Sequence, residues 1–226
     1  MNRHFSKLEW KKDQLWRGCI LAALAHAIMV AHYPDQSNEH SWDDINYSVQ
    51  DSAGARGTIT FDSKYCVAAF RNDKSKRLSL NSDFKEAKRY FEGAPEEVIK
   101  AAQTEALQYL LDNVDGKTMP LITTAFWGTD NNLFAVDTFD EMYENGGFLL
   151  ENQVRDLDEA VEAWREYYDM SPQQTKLLIS IYKRKIENPN EMLILKKEEV
   201  ELIGSDEEGL NESRVSFDEI GITWEE

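Results

Sequence analysis

A face made of Leu8, Leu15, Cys19, Ala22, His26, Met29 and Tyr33 recurs at spacings of three, four and seven residues, the periodicity of one side of a helix. A second row, Trp16, Ile20, Leu24 and Ile28, makes the later half apolar nearly all round. The pattern predicts a helix over 7–32, buried in the middle of a domain and ended by Pro34. The run from Cys19 to Tyr33, preceded by basic residues and containing Ala25-His26-Ala27, also imitates a secretory leader. Glu9 and Asp13 interrupt the stretch ahead of it, and the run is shorter than the roughly 20 residues that span a bilayer. A buried helix is therefore the expectation.

Beyond a polar loop after Tyr33, the period changes to two. Residues 45–50 alternate apolar and polar, and Gly57 to Phe61 and Tyr65 to Phe70 are rich in β-formers. With turn chemistry at Asp51-Ser52-Ala53-Gly54 and at Asp62-Ser63-Lys64, they predict a three-stranded antiparallel meander over 45–71. The segment 71–82 is polar and basic, a loop. Ser82 caps a short helix to about Phe91, and Pro95-Glu96-Glu97 opens a helix to about Leu111, closed by Asp115-Gly116. Met119 to Phe126 and Leu133 to Val136 predict a second hairpin across residues 128–132, followed by a brief helix over Asp137 to Tyr143. Leu157, Ala160, Val161, Trp164, Tyr167 and Tyr168 keep helical spacing. Ser171-Pro172 then starts a second helix to about Glu187, antiparallel to the first across a short link. The remaining tail has one apolar knot, 192–195, and ends in a docking strand, 222–224. The expected fold class is α+β: an antiparallel sheet of about five strands packed on the long N-terminal helix, with a helical C-terminal half. Residues 1–187 are expected to form one domain and 188–226 an acidic extension, partly docked.

Charge adds what periodicity lacks. The 226 residues carry 42 Asp and Glu against 25 Lys and Arg, a formal charge of −17. Residues 1–91 hold 14 basic and 11 acidic groups (+3), residues 92–186 hold 8 and 18 (−10), and residues 187–226 hold 3 and 13 (−10). An excess of this size repels nucleic acid and anionic membrane, so neither is an expected partner. Two cysteines cannot make a disulfide scaffold and suit a reducing, cytoplasmic setting.

Signatures of chemistry are few. No GxxxxGK[ST], GxGxxG, HExxH, CxxC or GxSxG occurs, so nucleotide, zinc, redox and α/β-hydrolase motifs give no lead. Cys19 near His26 resembles an activated thiol, but a mid-helix position gives it no help from the helix dipole, and a packed core cysteine is the better reading. His26 and His32, six residues apart, lie on opposite sides of a helix, so a metal site would need His40, Asp43 or Asp44 to fold back. No metal or other cofactor is expected. Arg71, Lys74, Lys76, Arg77, Lys85, Lys88 and Arg89 form a basic cluster for a phosphate or an acidic peptide, for solvent, or for the chain's own carboxylates. Trp42, Tyr47 and Trp127, near Gln50 and Asp51, line a pocket or an interface, or plug the open end of a small sheet.

These observations lead to an acidic binding protein that recognises a basic partner by charge, as inhibitors of basic toxins do. The candidate carboxylates are Asp206, Glu207 and Glu208 in the tail and Asp156, Asp158, Glu159 and Glu162 on the first helix of the pair. Arg71, Arg77, Trp42 and Trp127 complete the candidate residues. The alternatives are an enzyme whose carboxylates and Arg71 converge in a pocket without a linear motif, and a structural subunit of a homo-oligomer.

Overall fold

The computed structural model describes residues 5–80, 87–114 and 116–225. Its strands are β1 (Ser6–Lys11), β2 (His40–Asp43), β3 (Asn46–Gln50), β4 (Ala55–Phe61), β5 (Tyr65–Asn72), β6 (Leu111–Val114), β7 (Lys117–Pro120), β8 (Thr124–Thr129), β9 (Asn132–Ala135), β10 (Leu193–Leu195) and β11 (Ile222–Trp224). The helices are α1 (Lys12–Met29), α2 (Glu96–Thr104), α3 (Phe139–Glu144), α4 (Leu157–Tyr167), α5 (Pro172–Glu187), α6 (Lys197–Glu201) and α7 (Glu207–Glu219). The mixed α and β composition agrees with the expected class. The antiparallel sheet has seven strands rather than about five, in the order β1-β9-β8-β5-β4-β3-β2. The chain divides into two units, Met1–Gln14 with Ile45–Glu151 and Leu15–Asp44 with Asn152–Glu226.

In the first unit the predicted meander is present. β3 and β4 pair from Asn46↔Thr60 to Gln50↔Arg56, and β4 and β5 from Ala55↔Asn72 to Phe61↔Cys66. The Asp62-Ser63-Lys64 turn is held by the Asp62 carboxylate, which accepts from the Lys64 amide at 2.9 Å. The run 119–126 is not one strand. Pro120 lacks the donor that an interior ladder position requires; the segment before it pairs in the small β6–β7 hairpin, and Thr124 onward joins the large sheet as β8. The β8–β9 turn needs only Asp130 and Asn131, with Asp130 left-handed at φ 53°. The first half of the short helix expected from Ser82, residues 82–86, lies outside the described residues.

One face of the sheet is covered in this unit by the segment 87–110. Val98, Ala101, Ala102, Leu107 and Leu110 pack with Val67, Ala69, Ala125 and Trp127 in one apolar cluster. The apolar residues of the long N-terminal helix, from Leu15 onward, belong to the second unit. The helix also starts later than expected. Residues 6–11 pair with β9 through Ser6↔Ala135 and Lys7↔Phe134, because Leu8 and Trp10 also satisfy the period of a strand.

The second unit is built around α1. Every residue from Cys19 to Met29 is buried, as expected of a helix without a polar face. Gly18 permits the closest approach: a Cβ there would stand 1.8 Å from the Gln153 carbonyl oxygen. α7 fastens to the end of α1, with the Ser213 hydroxyl donating to the Ala27 carbonyl at 2.5 Å and Ser205 to that of Ala31 at 2.8 Å. α4 and α5 occupy the predicted positions, and β10 and β11 pair in parallel. The residues after 188 therefore hold helices and strands where the sequence reads as a sparse acidic run.

Candidate functional site

The carboxylates of α4 are exposed because the helix spends its other face on the core. Ala160, Val161 and Trp164 are buried, leaving Asp158, Glu159, Glu162 and Glu166 on the outside. Asp156 is the N-cap residue, without a side-chain cap bond, and Asp158 and Glu159 sit in the first turn, where the helix dipole favours negative charge. Asp158, Glu159, Glu162 and Glu166 line an open groove with Asn152, Arg155, Ala163 and Tyr167. Glu162 is held by Arg165 through two bonds of 2.8 and 2.5 Å, which keep its carboxyl below the usual glutamate range. Asp158 and Glu159 make no ion pair among the described residues. The tail candidates stand elsewhere in the same unit and do not line this groove. The Asp206 side chain accepts from the Gly209 amide at 3.0 Å and caps α7, while Glu207 and Glu208 are exposed in its first turn.

The candidate arginines belong to the first unit and are occupied there. Arg71 binds Asp73 at 2.6 Å and also Asp112. Burial opposes the guanidinium charge, but the two carboxylates outweigh it and raise the pKa. Arg77 binds Asp137 at 2.6 Å and donates to the Thr123 carbonyl at 3.2 Å; the Thr124 hydroxyl donates to the same Asp137 oxygen at 2.6 Å. Glu141 stands 3.8 Å from the other end of the Arg77 guanidinium. The basic segment is thus tied to carboxylates of its own unit at Arg71 and Arg77. Lys85 lies outside the described residues.

Trp127 and Tyr47 are buried, Trp127 against Phe5 and Phe134. Trp42 is in the second unit, its indole N–H donating to the Asp44 carbonyl at 2.8 Å and its amide to the Glu219 carboxylate at 2.9 Å. Trp42 and the pair Tyr47 and Trp127 thus belong to different units.

One cluster escapes sequence reasoning. His26 and His40, 1 % and 4 % exposed, meet with ring centroids 5.6 Å apart. The Tyr168 hydroxyl lies 3.4 Å from His26 Nδ1 and donates to Glu39 at 2.8 Å; the Tyr167 hydroxyl also donates to Glu39. His40 stands edge-on to Trp164 at 5.2 Å. Burial, partly offset by the Ser37 backbone, lowers the pKa of His26 to about 4. Burial first, and His26 second, push His40 well below its ordinary value. Three separated stretches of chain supply these groups, so no local motif announces them.

Among the described residues no group of three or more His, Cys, Asp or Glu is arranged to hold a metal ion. Cys19 and Cys66 are buried and not bridged in a disulfide, and burial pushes the Cys66 thiol up to about 12. No helix of the described residues is long and apolar enough to cross a membrane. No protein-family model, curated protein or solved structure matches the chain.

Proposed function

We propose that the protein binds a cationic partner protein through the exposed carboxylates of its second unit, in the manner of an inhibitor that neutralises a basic target. The observation that carries this reading is the α4 groove. Asp158, Glu159, Glu162 and Glu166 face solvent beside the half-exposed ring of Tyr167, whereas Arg71 and Arg77 are engaged by carboxylates of their own unit. A concentrated negative face accelerates the approach of an oppositely charged partner, and tyrosine supplies apolar contact beside the charges.

The test begins with proteins retained by the immobilised chain at low salt, followed by association kinetics of each purified ligand. The on-rate of a true partner falls as salt rises, because exposed charges are screened over about 10 Å at 0.1 M. Asp158→Lys with Glu159→Lys, and separately Glu207→Lys with Glu208→Lys, lower the on-rate, with the melting transition shifted only by the loss, on the order of 1 kcal/mol, of first-turn carboxylates at a helix N-terminus. Asp206 is left intact because it caps α7. Equal on-rates for wild type and both reversals would reduce the acidity to a solubility device.

A further inference from the structure

β10 and β11 form a two-stranded parallel sheet of their own. The Leu193 amide donates to the Gly221 carbonyl at 3.1 Å, and the Leu195 carbonyl accepts from the Glu225 amide at 2.8 Å. Alternate residues of β10 therefore face β11, and the amide and carbonyl of Ile194 between them point the other way. Among the described residues neither group has a partner. The side chains alternate too: Leu195 is 0 % exposed, while Met192 and Ile194 are 73 % and 56 % exposed. An unpaired edge bordered by exposed apolar side chains is a template for an additional strand, and a two-stranded sheet is the kind that gains most from a third.

We propose that the outer edge of β10 receives an extended, cationic segment of a partner protein as a third strand. This docking mode rests on the cationic-partner function proposed above and names where and how that partner is gripped. Charge selects the occupant. Residues 187–226, which supply both strands, hold 13 acidic groups against 3 basic ones. Glu191, Glu198 and Glu201 are exposed on either side of β10 in the chain; Lys196 and Lys197 reduce the excess without cancelling it. A second copy of this chain fits poorly. It would bring −17 against −17, and a three-residue edge covers far less than the roughly 800 Å² per partner of a standard interface. A cationic strand meets both demands. Its backbone N–H donates to the Ile194 carbonyl and its carbonyl accepts from the Ile194 amide, aliphatic side chains cover Met192 and Ile194, and intervening Lys or Arg residues face the carboxylates.

The experiment titrates the full chain with a fluorescent peptide alternating Lys and Val. The controls are a peptide alternating Glu and Val, and a copy of the first N-methylated at every other residue. The Lys–Val peptide binds, and both controls bind about tenfold more weakly or less, the scale of one lost hydrogen bond or charge contact. Ile194→Pro removes the outward N–H but no bond to β11, a place where an edge strand accepts proline; it loses binding with an unchanged melting transition. Should that variant unfold, Met192→Ser with Ile194→Ser keeps the backbone and still weakens binding. Four results would each overturn the proposal: no binding of the Lys–Val peptide, equal binding of either control, wild-type binding by all Ile194 variants, or a chain that dimerises through this edge in sedimentation. Retained binding in the Ile194 variants, with loss on reversal of Asp158 and Glu159, would remove the edge while leaving the cationic-partner function standing.

Discussion

His26 and His40 are two ionisable side chains placed where only their neutral forms are tolerated. Their rings pack on each other, His40 also stands edge-on to Trp164, and the Tyr168 hydroxyl lies between His26 Nδ1 and the Glu39 carboxylate. With folded pKa values depressed below 6.5, to about 4 for His26, the unfolded chain takes up protons before the folded chain does. Stability is therefore complete above 6.5 and falls as the solution is acidified, the loss from His26 continuing down to about 4. Each histidine removes at most about 1.4 kcal/mol per pH unit in that window. Urea midpoints measured between about pH 7.5 and 4.5 decline with this slope, and His26→Gln with His40→Gln flattens the curve. A decline of equal slope in the double variant would assign the acid sensitivity to carboxylates instead.

Among the elements, α5 is the one whose start is written most completely in local chemistry. The Ser171 hydroxyl accepts from the Gln174 amide at 3.2 Å, the Gln174 side chain accepts from the Ser171 amide at 2.8 Å, and Pro172 opens the first turn. Ser171→Ala lowers unfolding stability by about 1 kcal/mol, read as a shift of the urea midpoint at constant slope. A larger loss would mean that Gln174, which also donates to the Ile203 carbonyl at 2.8 Å, had been displaced. The opposite case is Ser6–Lys11. It carries the apolar spacing of the following helix and becomes a strand, because β9 offers an edge to pair with and hydrogen bonding to that edge outweighs a weak helical preference.

For the molecule as a whole, the acidic residues after 188 serve structure as well as surface. Deleting residues 205–226 removes Ser205 and Ser213, which satisfy the Ala31 and Ala27 carbonyls, together with the buried Phe217 and Ile222. The deletion lowers the stability of the second unit by several kcal/mol, since it exposes core and leaves carbonyls of α1 bare. Thermal melting and hydrogen exchange of α1 measure the effect. An unchanged melting curve would show that α7 is only a solvated appendage. Charge reversal at Glu207 and Glu208, which touches none of these contacts, is accordingly the cleaner probe of recognition.

The sequence alone determined the elements whose information is local: the β3–β4–β5 meander, written in alternation and turn residues; the helix pair, written in spacing and the Ser171-Pro172 start; and the burial of α1, written in a helix with no polar face. It also showed the segregation of charge along the chain, and so the carboxylates of α4 and α7. Tertiary structure decided whatever joins distant residues. The cover of one sheet face depends on the match of Val98, Ala101 and Leu107 to Val67 and Trp127. The state of Arg71 and Arg77 depends on Asp112 and Asp137, far along the chain. The histidine pair, the Gly18 contact and the open edge at Ile194 arise only when separate segments come together. Periodicity reports which side of an element is buried; it carries no information about what lies against that side.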